Sequence, residues 1–135
     1  MYLHDLNDAQ KALTMDHMLH MLPEDRRGSP DGQSRIRWYC SEMGIVPRFA
    51  PLLDEDTALK QLTQISSTIT LRKVFIELAI LAMSCTEYEK LEQKFTDKYA
   101  VLTGLQRSVF DEVLHLLEEI SYACQRLGEL VNIPG

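Results

Sequence analysis

RSVFDEVLHLLEEISYACQRLGELV, residues 107–131, repeats its apolar side chains at helical spacing without a turn signal. Phe110, Val113, Leu117, Ile120, Cys124, Leu127 and Val131 alternate steps of three and four, which is a heptad seam. Leu114, Leu116, Ala123 and Leu130 widen that seam. Gly128 weakens its last turns, because glycine costs backbone entropy in a helix. So long a helix has two readings. It spans the core of a bundle, or it leaves part of its apolar face for a protein partner or a second copy. On the second reading Leu116, Ala123 and Leu130 are the candidate partner-binding residues.

Working back from this stretch, the rest of the chain reads as helices too. Residues 8–22 carry Ala9, Ala12, Leu13, Leu19 and Leu22 at helical spacing, with Asn7 and Gln10 placed for a capping box. Pro23 and the polar stretch 24–32 end that helix. Residues 31–43 place Ile36, Tyr39, Cys40 and Met43 on one face, and Gly44 stands where a left-handed C-cap belongs. Asp54 caps residues 55–66, where Leu59, Leu62 and Ile65 form a stripe. Residues 71–84 are apolar nearly all round, so they belong at the centre of a core. Thr86 and Glu89 frame a second capping box ahead of residues 87–103, which stop at Gly104. Only the β-branched run 65–69 admits a short extended piece. The fold class is all-α: a compact bundle of about six helices in a single domain over 1–135.

The composition narrows the function classes. Apolar residues make up 45% and charged residues 25% of 135, an ordinary globular balance. The net charge of −6 argues against nucleic acid, which demands a cationic surface. Arg26, Arg27, Arg35, Arg37 and Arg48 are the one basic cluster, and Glu24, Asp25 and Asp31 interrupt it. Cys40, Cys85 and Cys124 are far apart and form no CxxC pair, so buried thiols in a reducing compartment are expected. The N-terminus lacks a signal core, and the longest apolar run, 74–83, is too short to span a bilayer and contains Glu77. A cytoplasmic protein with no transmembrane segment is expected.

The chain also matches itself at an offset of 60, which sets Tyr39 on Tyr99, Gly44 on Gly104, Ile45 on Leu105, Met18 on Leu78 and Met15 on Phe75. The halves 7–46 and 67–106 then read as two helix–loop–helix units, followed by the helix 107–131. FIELAILAMS at 75–84 followed by Glu87-Tyr88-Glu89, together with WYCSEMGI at 38–45, resembles the tellurite-resistance TerB-like family. In that family an apolar helix, an Asp-Gly loop with trailing glutamates and a second helix commonly occur twice. The resemblance implies an all-helical fold and an accessory role in stress or envelope-linked systems. It also implies a cation at the acidic loops. This chain has Cys85-Thr86 where the family has Asp-Gly, and Gln33-Ser34 after Asp31-Gly32, so most of the oxygen ligands are missing.

Few residues carry recognisable chemistry. No nucleophile elbow, phosphate-binding loop or catalytic cysteine setting is present, so no catalytic residue is assigned. Glu77 is costly in its apolar run unless Lys73 or a backbone amide meets it. Glu112 and His115 form a Glu-x-x-His pair of the kind that di-metal carboxylate bundles use, and Asp16 and His20 stand one turn apart. Glu77, Glu112, His115, Asp16 and His20 are therefore the candidate ligands of a divalent metal. Met18, Met21, Trp38, Met43 and Met83 would line a ligand pocket, although methionines at such spacing usually fill cores. The leading expectation is a non-catalytic helical interaction module, and the alternative is a metal-binding helical protein.

Overall fold

Asn7 accepts a hydrogen bond from the Gln10 amide at 2.9 Å, and the Gln10 side chain accepts one from the Asn7 amide at 3.0 Å. This closed capping box starts α1, Asp8–Met21, in a computed structural model that describes residues 1–134. The last residue, Gly135, lies outside the described residues. After α1 come α2 (Glu24–Arg27), α3 (Pro30–Met43), α4 (Glu55–Ile65) and α5 (Thr68–Ser84). They are followed by α6 (Tyr88–Lys94), a π-helical segment (Phe95–Tyr99), α7 (Ala100–Thr103) and α8 (Arg107–Val131). No strand occurs among the described residues, so the fold is all-α as the periodicity predicts. No helix among them is long and apolar enough to cross a membrane.

The chain divides into two compact units, Met1–Gly104 and Leu105–Gly135. In the first unit α1 packs against α3, α4 and α5, and α5 packs against α1, α6 and α7. A 3-10 turn, Leu3–Asp5, lies on α3 and α5. Both α1 and α5 are central. α5 buries Leu71, Val74, Phe75, Leu78, Ala79, Leu81 and Ala82 on several faces, as expected of a helix apolar nearly all round. α1 buries a contiguous run from Thr14 to Leu19, not the stripe through Ala9 and Ala12, which are exposed. Met18, Met21 and Met43 are core residues and Trp38 is exposed, so the methionines fill the interior rather than line a pocket.

Helix ends follow local chemistry, with one correction. Gly44 and Gly104 both stop helices at positive φ, 71° and 66°, and Asp54 caps α4 through the Thr57 amide at 2.7 Å. The run 65–69 is extended only at Ser66 and Ser67, and Ser67 then caps α5 through the Thr70 amide at 3.1 Å. The capping box expected at Thr86 does not form. Thr86 has φ 59° and its amide reaches Met83 O, while the Glu87 amide reaches Ala82 O at 2.8 Å. That is a Schellman stop for α5. One residue cannot be the left-handed end of one helix and the extended cap of the next, and termination of α5 wins.

Candidate interaction surface

Two sets of residues invite a functional reading: the polar groups buried in the first unit and the apolar groups exposed on α8. The buried polar groups are mostly fasteners. Asp16 accepts from the Arg48 guanidinium and from the Leu52 amide at 2.8 Å. One turn on, His20 Nε2 lies 2.8 Å from Leu53 O. Asp16 and His20 do share a face of α1, as their spacing predicts, but that face holds the connector between α3 and α4. Glu77 is buried, and its Oε1 accepts from the Tyr2 amide at 2.6 Å. The Met1 amino group lies 2.8 Å from the same oxygen and also pairs with Glu42. Glu77 is thus met by a backbone amide and the Met1 amino group, while Lys73 reaches Asp5 at 3.0 Å instead.

Asp16, His20 and Glu77 each have other bonds within the first unit, and Glu112 and His115 are exposed on α8, where His115 lies 3.0 Å from Glu119. Among the described residues no group of three or more histidine, cysteine or acidic side chains is placed to hold a metal ion. Gly32, of the Asp31-Gly32 pair, serves packing: a Cβ there would stand 1.7 Å from Arg26 O.

The basic cluster also disperses. Arg48 is spent on Asp16 and on Ala12 O, and Arg35 pairs with Asp31 at 3.2 Å. Arg27 donates to Leu19 O at 2.8 Å, and Lys90 donates to Met21 O at 3.1 Å, so two cations meet the carbonyl end of α1. Neither role was legible in the sequence, which placed Arg27 in a polar loop and Lys90 in the helix 87–103.

One further polar set is buried where the sequence suggested a solvated face. Thr14, His17 and Tyr99 are fully buried, and Thr14 Oγ1, both His17 ring nitrogens and the Tyr99 hydroxyl lack a hydrogen-bond partner. The His17 and Tyr99 rings lie 5.6 Å apart. Burial, helped by the charges of Lys94 and Lys98, pushes the His17 pKa down to about 3, so the ring is neutral. Burial also raises the Tyr99 phenol above its ordinary range. The signal in the sequence is the pair Thr14 and His17, three apart inside a run of Met15, Met18 and Leu19.

α8 shows the reverse pattern. Phe110 is buried and Val113, Leu114 and Leu117 are half-buried, but every residue from 118 to 134 is exposed. Leu116, Ile120, Ala123, Leu127 and Leu130 follow one another at steps of four, three, four and three, and all five are exposed. Leu116, Ala123 and Leu130, the partner-binding candidates, are thus on one stripe. Cys124 is exposed as well, whereas Cys40 and Cys85 are buried as expected, with thiols held protonated by burial. No protein-family model, curated protein or solved structure matches the chain.

Proposed function

We propose that the chain is a non-catalytic helical interaction module, whose contact surface is the apolar stripe of α8. The observation that carries this reading is the exposure of Leu116, Ile120, Ala123, Leu127 and Leu130 along one helix face. Large apolar groups aligned in this way usually mark an interaction site, because water disfavours a contiguous apolar patch more than scattered ones. The spacing fits a partner helix laid along the stripe, its side chains set between those of α8. The first unit is the folded body that carries it. The resemblance to TerB-like proteins adds the expectation of an accessory role in a stress or envelope-linked system.

The test compares two full-length baits in extract from the source cells, the wild type and Leu116→Glu/Ala123→Glu/Leu130→Glu. An apolar contact survives a salt wash that strips surface ion pairs. The proposal expects a protein retained through that wash by the wild type and lost at least tenfold by the variant. Equal retention by both baits, or retention by neither, overturns it. Circular dichroism of the variant guards against a general loss of structure.

A further inference from the structure

The occupant of the α8 stripe can be named from the charges beside it. We infer that it is α8 of a second copy of this chain, running antiparallel. The inference rests on the interaction reading above and gives it a partner. Leu116, Ile120, Leu127 and Leu130 are 48%, 50%, 62% and 51% exposed, and Ala123 between them is exposed too. The stripe from Leu116 to Leu130 is about 21 Å long at the helical rise. Taken as a heptad seam, it is bordered on one side by Leu117, Cys124 and Val131. The other side carries Glu112, Glu119 and Arg126.

Those border residues discriminate between arrangements. In a parallel pair Glu119 of one copy faces Cys124 of the other, and Arg126 faces Val131, so no opposite charges meet. In an antiparallel pair the seam sets Leu116 against Leu127 of the second copy and Ile120 against Ala123. The same register brings Glu119 within two residues, about 3 Å along the axis, of Arg126 of the second copy, and by symmetry this happens twice. Among the described residues these two groups make exposed local pairs, Glu119 with His115 and Arg126 with Glu129. Such pairs are cheap to exchange. The stripe therefore carries its own charge complement, as a two-fold interface requires. A different partner would have to supply an acid and a base in this same order. Ala123, small and near the midpoint, lets the two helices approach where Ile120 of the other copy needs room.

Light scattering on the eluting full-length protein tests this across a dilution series. The wild type is expected at twice the 15.5 kDa of one chain, dissociating on dilution. Ile120→Glu is expected at the mass of one chain with its helix content kept. Glu119→Arg and Arg126→Glu singly should each weaken the pair about tenfold, by turning two attractions into two repulsions. Together in one chain, the two changes should restore it. A wild type with the mass of one chain at every concentration overturns the inference, as does a pair that Ile120→Glu leaves intact. Failure of the double variant to recover overturns the antiparallel arrangement. A single-chain wild type that still retains a stripe-dependent protein from extract would sink the second copy alone and leave the interaction reading standing.

Discussion

α1 buries Thr14, Asp16 and His17, whereas α8 exposes Leu116, Ile120, Leu127 and Leu130. Each helix breaks the rule of apolar inside and polar outside, and the two do so in opposite directions. The difference lies in neighbours. α1 packs against α3, α4 and α5, so the polar side chains on its inward positions, Thr14, Asp16 and His17, are buried whatever their chemistry. Those with nearby donors are satisfied, as Asp16 is by Arg48 and the Leu52 amide. Those without, such as His17, stay neutral and unpartnered. α8 has a cleaner division of apolar and polar faces, yet most of its apolar face is exposed. Burial in this chain is thus set by position in the packing, and amphipathicity alone does not predict it.

The largest expected break is with acid. His17 is held neutral in the folded chain down to about pH 3, while in the unfolded chain it protonates near its ordinary pKa of 6.5. Below pH 6.5 the unfolded state therefore binds a proton that the folded state refuses, and stability falls as pH drops towards 3. The full loss is roughly 4–5 kcal/mol. Urea unfolding between pH 7 and 4 should show a slope that flattens by close to one proton in His17→Gln. An unchanged slope would mean that the ring has access to water or a partner. Next in size is truncation. Leu19→Ala in α1 should cost about 2–5 kcal/mol of unfolding free energy, through the cavity left in a fully buried site. Leu127→Ala in α8 should cost under about 0.5 kcal/mol in dilute protein. Equal effects would erase the contrast between the helices. Asp16→Ala sits between these extremes, at about 2–3 kcal/mol, because it strands the Leu52 amide and removes the ion-pair partner of Arg48.

What the sequence revealed followed from local rules. Asn7 with Gln10, Asp54, Gly44 and Gly104 fixed four helix ends because each acts on backbone groups within a turn of itself. The heptad steps in 107–131 marked α8 to the residue. The errors arose where two demands met on one residue or where tertiary contacts chose. Thr86 satisfied the cap pattern of α6 but was taken as the left-handed stop of α5. Asp16 and His20 had metal-like spacing, but the connector that occupies their face is more than thirty residues away in sequence. The exposed stripe was legible only in part. The heptad steps put Ile120 and Leu127 on one seam with Phe110 and Leu117 and made Leu116, Ala123 and Leu130 its extensions; in the structure Phe110 is buried and Leu117 half-buried, whereas Ile120 and Leu127 join Leu116, Ala123 and Leu130 on the exposed line.

A small stabilising change tests whether the exposed end of α8 is limited by its own backbone. Gly128 has helical geometry, and a Cβ added there meets nothing within 4 Å. Gly128→Ala should therefore gain the propensity difference, about 0.5–1 kcal/mol, without a steric penalty. The gain belongs to the last turns, because Asn132 and Ile133 close the helix through Glu129 and Leu130 carbonyls. Hydrogen exchange at the amides of residues 128–131 should slow by several-fold, and amides in α1 should be unaffected. Since Gly128 lies off the Leu116–Leu130 stripe, the change should also tighten self-association slightly by ordering the helix beforehand. Slower exchange with weaker association would place residue 128 inside the contact and shift the proposed seam by one position around the helix.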